Sequence, residues 1–451
     1  MRDWKSWMVL SLILAFCSTR SNPARADEYN HRNVIVGERA AGMGGAATAL
    51  AEDASTAYYN PAGLVLSYRK NLSLSATLLQ TRTRFVADYL GTEGVDQTSM
   101  SIIAASWCYA TDLWGGRFAF SILVPDSHDF QMDEVLTARL TMPDGSNLVG
   151  AHLIRQKQYD SYILGPSMAW SLGEKWSIGF SFLFFYRTYI DRMDDTFLYD
   201  TGAITEIIDD ASGWSLGVES HLGLMWQPLE ELRFGLLARL GGSFTDHGKR
   251  RLLRIESSAA SPGSFSRVTV GDEFGDGDDV KSESPTSFSF GMALRVSKDW
   301  LLAIDSSFYL PMKYERLGRL ISMEFTWNIA VGAEVILFDA WPLRFGFFTN
   351  NSAAPGVDRS LVSGIDPATY TRDDVPAEKI DYYGVTLSLG KLGANSTIDV
   401  ALQFALGTGE RVEVLATGAA VHAVLDTSFG LTISGSYIFD DSSEEPAKDK
   451  G

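Results

Sequence analysis

The sequence predicts an all-β fold, a transmembrane antiparallel β-barrel of about 14 strands. Three observations carry this. From Leu72 onward, apolar residues recur at every second position in runs of about ten, the length a tilted strand needs to cross hydrocarbon. After the first residues, no apolar stretch is long enough for a membrane-spanning helix. Short and long connections alternate along the chain, as they do when the two rims of a barrel face different compartments. Composition leans the same way: 12% aromatic residues and 41 Gly against 14 Pro favour a glycine-permissive β fold.

Residues 1–26 read as a signal peptide. Arg2 and Lys5 form a basic start, Trp7 to Cys17 an apolar core, and Ala24-Arg25-Ala26 a small-residue cleavage site, so the mature chain is expected to begin at Asp27. Phe16 before Cys17 argues against a lipoprotein signal, which needs a small residue there. With Cys17 removed, Cys108 stands alone and no intramolecular disulfide is possible.

Residues 27–70 do not alternate. They run through Gly42, Gly44, Gly45, an alanine-rich stretch and Asp53 to Tyr58-Tyr59-Asn60-Pro61-Ala62-Gly63-Leu64. Small side chains suit a segment threaded through a confined space, and Asn60-Pro61 forces the chain out of the α region.

Residues 71–439 hold the strand series. Phe288, Phe290, Met292, Leu294 and Val296 alternate with small or polar residues, as do Ile398, Val400, Leu402, Phe404 and Leu406. Short turns are expected around Asp112 to Trp114, Gly173 to Trp176, Gln227 to Leu232, Ser297 to Trp300, Phe338 to Trp341 and Gly390 to Asn395. Long connections are expected at 82–97, 125–152, 190–212, 244–284, 312–321, 350–378 and 408–426. Trp114, Trp176, Trp300 and Trp341 then fall where strands re-enter the bilayer, an interfacial girdle. The face opposite the apolar one carries Glu219, His221, Arg233, Arg239, Arg295, Asp305, Glu334, Arg344, Asp399 and Gln403, a polar lumen. On this assignment Gly291→Arg, facing the lumen, is expected to be tolerated better than Leu294→Arg, facing lipid.

The net charge of −18 sits mostly in the long connections, as in Gly271 to Ser284, and in residues 440–451, a polar tail. No basic stripe points to nucleic acid, and the acidic run lacks the ligand spacing of an EF-hand. No nucleophile elbow, zinc-binding H-E-x-x-H or phosphate-binding loop is present, and the six His are scattered, so neither an enzyme nor a metal or cofactor is expected.

The stretch AAGMGGAATALAEDASTAYYNPAGL resembles the N-terminal plug of the FadL-type long-chain fatty acid transporters of the bacterial outer membrane. That resemblance, confined in wording to about residues 36 to 68, implies a plugged barrel that takes up hydrophobic small molecules, with a lateral exit beside the plug. It makes Asn60, Pro61, Ala62 and Gly63 the structural or gating element. Plug-bearing barrels that anchor secreted proteins carry a similar opening, so a structural or secretion-partner role is the alternative.

Overall fold

The computed structural model describes residues 29–32, 34–50, 54–67, 70–137, 140–141, 145–257, 265–270, 283–316, 319–357, 359, 378–415 and 418–439. The expected signal peptide, Asp53, residues 271–282 of the acidic run and the polar tail lie outside them.

The strands in chain order are β1 (Asn71–Ala87), β2 (Gly94–Leu113), β3 (Gly116–Leu136), β4 (Leu140–Thr141), β5 (Asn147–Leu172), β6 (Trp176–Tyr199), β7 (Ile204–Leu229), β8 (Leu232–Ser257) and β9 (Phe265–Val270). They continue as β10 (Ser287–Arg295), β11 (Trp300–Tyr309), β12 (Met312–Arg316), β13 (Arg319–Met323), β14 (Thr326–Leu337), β15 (Trp341–Asn350), β16 (Lys379–Leu392), β17 (Ser396–Leu415) and β18 (Gly418–Ile438). Fourteen of them pair antiparallel with their neighbours into a closed barrel: β18 returns to β1 through Asn71 and Ile438, and β8 meets β10 through Gly235 and Gly291. β4 and β9 extend the ladder beyond the barrel, and β12 with β13 forms a separate hairpin. That hairpin packs Tyr314, Ile321 and Met323 against Tyr29, Ala353 and Ala354.

Alternation resolves as expected. Phe288, Phe290, Val400, Leu402 and Phe404 are exposed on the outer wall, while Ser287, Ser289, Ala401 and Ala405 between them are buried. Trp176, Trp226, Phe234 and Phe290 form a stacked outward row across β6, β7, β8 and β10, with successive centroids 5.4, 5.4 and 6.2 Å apart. It lies at the short-turn rim, together with exposed Trp114, Trp300 and Trp341. An amphipathic ring at that level is what a membrane interface selects.

Several expected long connections are instead strand. β6 runs to Tyr199 and β7 starts at Ile204; β17 runs to Leu415 and β18 starts at Gly418; β1 and β2 are separated by residues 88–93 alone. β5, β7 and β8 each span 26 residues, more than the hydrocarbon needs. Once a strand leaves the bilayer both faces can be polar, so the alternation that announces it disappears while the backbone ladder goes on.

One seam in the wall is open. β2 pairs with β3 from Leu113–Gly116 as far as Trp107–Ile122, and among the described residues β2 beyond Trp107 pairs with β1 alone. β3 carries an extra residue between Leu123 and Asp126 relative to β5, at Val124-Pro125. Pro125 has no N–H to give a ladder, and the N–H of Val124 donates to the Ser106 hydroxyl at 3.0 Å.

Candidate functional site: the lumen and the segment within it

The described residues among 29–67 lie inside the barrel, touching strands all round the ring. Asn30 begins in the half away from the short turns, its side-chain amide donating to the carbonyls of Asn350 (2.8 Å) and Ile380 (3.2 Å). The chain then descends through helix α1 (Glu38–Gly42) and helix α2 (Thr56–Tyr59) to a 3-10 turn at Pro61–Leu66 and enters β1. So short a helix is marginal alone. Its order comes from the wall.

The wall supplies polar partners for the segment's backbone. Asp305 accepts from the N–H groups of Ala47 (2.8 Å) and Thr48 (2.7 Å). Thr386 donates to the carbonyl of Gly42 at 2.8 Å, Ser181 to that of Ala57 at 2.9 Å, and Ser177 to that of Ala62 at 2.9 Å. His221 lies between the Tyr58 carbonyl (3.1 Å) and the Glu219 carboxylate (2.7 Å), and Arg239 donates to the same carbonyl at 3.3 Å. Inside a barrel these groups replace the water that a coil's amides otherwise need.

Close approach is the second requirement. Gly44 adopts φ +65°, and a side chain on it would meet the backbone of Phe347 on β15 at 2.9 Å. Met43 fits against Gly332 of β14, where an added Cβ would stand 2.7 Å from its own. The Met43-Gly44 wording is thus dictated by packing against the wall.

A buried charge network ties α1 down. Arg39 pairs with Glu334 at 2.5 Å, Arg344 donates to Glu334 at 2.6 Å and also to Asp399, and Glu38 lies 3.8 Å from Arg344 while accepting from Thr397. Two carboxylates and one guanidinium come from the wall and one of each from the segment. Mutual pairing is what makes four buried charges and the partly buried Arg39 tolerable.

Asn60, fully buried, closes the arrangement. Its amide donates to the carbonyls of Thr48 (2.9 Å) and Leu224 (3.2 Å), and its Oδ1 accepts from the N–H of Ala62 (3.2 Å), capping the 3-10 turn. Pro61, Ala62 and Gly63 follow, packed so that a Cβ on Gly223 would strike Ala62 N at 2.9 Å. Arg233 and Arg295 share the inward face of β8 and β10 near the short turns, away from this cluster. Gln403 lines a small cavity beside Val34 and Ile35.

Gly291 corrects an expectation. It does face inward, but a Cβ there would stand 2.5 Å from Asp305 Oδ1 and 2.8 Å from Ala49 N. The lumen is filled at this level, so arginine has no room.

Sequence reasoning did not single out the space beyond the segment. A cavity of about 100 Å³ is lined by His31, Tyr58, Pro125, Asp126, Arg187 and Arg239 among others. It adjoins a smaller one of about 40 Å³ against Arg32, Ile35 and Phe348, the two sharing His31, Tyr58, Pro125 and Arg239. Arg239 lies over the Tyr58 ring at 4.5 Å, its Nε and the Nη1 of Arg32 are buried without an acceptor, and the Nε2 of His31 is buried without a partner. Burial pushes the His31 imidazole down to about 4, with the Arg187 charge adding to the shift and Asp126 opposing it. Among the described residues, no cluster of His, Cys, Asp and Glu is arranged to hold a metal ion.

The model of one family, described as outer membrane protein transport protein (OMPP1/FadL/TodX), matches residues 17–363, well beyond the stretch that carries the resemblance in wording. No curated protein matches the chain. Among solved structures, a Pseudomonas aeruginosa FadL homologue superposes with a TM-score of 0.62 at 12% identity, covering 91% of this chain and 100% of its own. The Pseudomonas putida toluene transporter TodX gives 0.60 at 13%, and the Ralstonia pickettii toluene transporter TbuX 0.59 at 13%, each covering 91% of this chain and 100% of the other. At such identities these likenesses speak for the fold.

Proposed function

The chain belongs to the OMPP1/FadL/TodX family of outer-membrane transporters for hydrophobic compounds, and from that premise we propose that it carries long-chain fatty acids, or amphiphiles of similar shape with an acidic head. The observation behind this choice of ligand is the set of buried donors at the cavity. Arg239 Nε and Arg32 Nη1 lack acceptors and His31 Nε2 beside them has no partner, and a buried donor left unmade costs about 1–3 kcal/mol. A carboxylate head supplies acceptors there; a hydrocarbon such as toluene leaves all three unsatisfied.

The rest of the reading follows from the wall. Residues 29–67 act as the plug, with Asn60, Pro61, Ala62 and Gly63 as its fixed point. Pro125 borders both the cavity and the unpaired β2–β3 seam, so a ligand released from the cavity leaves sideways into the bilayer and never crosses an aqueous channel.

The test is uptake in cells lacking their own transporter, comparing labelled oleate with labelled toluene for the intact protein and Arg239→Gln at matched surface levels. Oleate uptake that falls several-fold in the variant while toluene entry is unchanged supports the proposal. Entry of toluene without oleate from a correctly inserted barrel defeats it.

A further inference from the structure

The lipid-facing wall carries a second aromatic row on β5 to β8. Tyr162 stacks with Tyr186 at 6.5 Å, Tyr186 meets Trp214 at 6.4 Å, and Trp214 stacks with His247 at 5.8 Å. Along β6 and β7 this row lies about ten to twelve residues from Trp176 and Trp226. At about 3.3 Å per residue and a tilt of about 40°, that separates the rows by about 25–30 Å, the height of an apolar band. The upper row therefore marks the outer interface of the membrane.

Immediately beyond it, on the same outward face, three cations converge. Lys249 stands opposite Ser212, while Arg251 and Arg192 both stand opposite Asp210. Lys249 is two positions past His247 and Arg251 four, about 5 and 10 Å above the aromatic row. All three are exposed, and among the described residues none of them forms an ion pair. Their inward neighbours differ: Arg250 is paired with Asp209 at 3.0 Å and Arg187 with Glu219 at 3.6 Å. On other strands the exposed residues toward the same ends include Asp96 and Thr98 on β2 and Thr408 on β17, none of them a cation. In a chain of net charge −18, three unpaired cations beside Asp210, with Asp194 the next acid along the same face of β6, are a local excess of positive charge placed at headgroup height.

We propose that this sector of β6, β7 and β8 binds the phosphate groups of an anionic glycolipid in the outer leaflet, whose acyl chains lie along the aromatic row beneath. Guanidinium groups engage phosphate oxygens in pairs, and an ammonium adds a point charge between them. The aromatic row fixes the height of the cations relative to hydrocarbon, which a soluble anionic partner does not require.

The experiment uses the purified full-length barrel in detergent, native mass spectrometry of retained lipid, and heat-dependent gel mobility as the check on folding. The probes are diphosphorylated lipid A, its dephosphorylated form and a zwitterionic phospholipid. Intact protein is expected to retain the phosphorylated lipid at least tenfold more than the Arg192→Gln/Lys249→Gln/Arg251→Gln variant, with the other two lipids held weakly by both. Lys298→Gln, an exposed cation at the opposite rim, is expected to behave as the intact protein. Equal retention by the triple variant, equal retention of the dephosphorylated lipid, or the same loss in Lys298→Gln overturns the proposal. Should the triple variant misfold, Lys249→Gln and Arg251→Gln singly are expected each to lower retention several-fold, and no change in either overturns it.

Discussion

The side-chain amide of Asn60 donates to the backbone carbonyl of Leu224 on β7 at 3.2 Å, linking the segment's sharpest bend to the barrel wall. The same side chain bonds Thr48 and Ala62. Asn60→Ala strands the Thr48 carbonyl and the Ala62 N–H in a buried site, at about 1–3 kcal/mol for each group left unmade. The barrel, held by its own ladder, should still form. The expected result is a segment that becomes sensitive to protease in a correctly inserted barrel, with raised ion conductance in planar bilayers. A variant as protease-resistant and as closed as the intact protein counts against this role for Asn60.

Arg344 stands between Glu334 and Asp399, and Arg39 approaches Glu334 from the segment. Arg344→Met leaves Asp399 buried without a cation and Glu334 with Arg39 alone, a loss of about 3–5 kcal/mol. Arg39→Met is milder, because Glu334 keeps Arg344. Thermal unfolding followed by gel mobility should rank the variants intact, Arg39→Met, Arg344→Met in falling order. The reverse order between the two variants contradicts the network as drawn.

The barrel was legible in the sequence wherever a strand crosses hydrocarbon, because lipid imposes a two-residue period on residues such as Phe288 to Val296. It was not legible where strands continue outside, as in Asp191 to Tyr199, since no solvent contrast marks the two faces there. Parity alone puts lumen charges such as Glu334 and Arg344 on the face opposite the apolar one, and both are buried. Their pairing was hidden, because it depends on register between strands and on Arg39, which lies far away in sequence. The seam at Pro125 and the cavity beside it depend on a single extra residue, a signal too small to separate from ordinary strand wording.

Gly291, Leu294 and Gly430 separate three kinds of wall position. Gly291→Ala forces a Cβ against Asp305 and Ala49, whereas a Cβ on Gly430 meets nothing nearer than Gln403 Cβ at 3.6 Å. Gly430→Ala should therefore fold as the intact protein does, and Gly291→Ala should lose about 1–3 kcal/mol through overpacking. Leu294→Arg should lose about 2–4 kcal/mol by placing charge in lipid. Folding yields into vesicles across the three test the assignment; a well-tolerated Gly291→Ala contradicts the close packing of the segment.

His31, its ring tilted against that of Tyr309 with centroids 4.4 Å apart, carries a pH dependence whose sign is fixed. Its imidazole is held down to about 4 in the folded protein against 6.5 when released. The buried state is therefore at full stability above pH 6.5 and loses stability as the pH falls from there toward 4, where the released segment takes up a proton that the buried one refuses. Protection of the segment from protease should decline over that window, and His31→Gln should flatten the decline. An unchanged profile in His31→Gln assigns the pH dependence to other groups.

The extra residue at Val124-Pro125 supplies the last prediction. Between Leu123↔Ile163 and Asp126↔Ser161, β3 has two residues where β5 has one, and deleting Pro125 restores a one-to-one register. The deletion also returns an N–H to the position beside β2, whose edge beyond Trp107 is unpaired on that side. With both changes the β2–β3 ladder can extend past Ile122 and close the seam. The barrel should be no less stable, since a few ladder hydrogen bonds at about 0.5–1.5 kcal/mol each are gained. If ligand leaves through the seam, uptake of labelled oleate should fall at least tenfold while binding to the purified barrel is retained. Undiminished uptake with a closed seam places the exit elsewhere, along the segment itself.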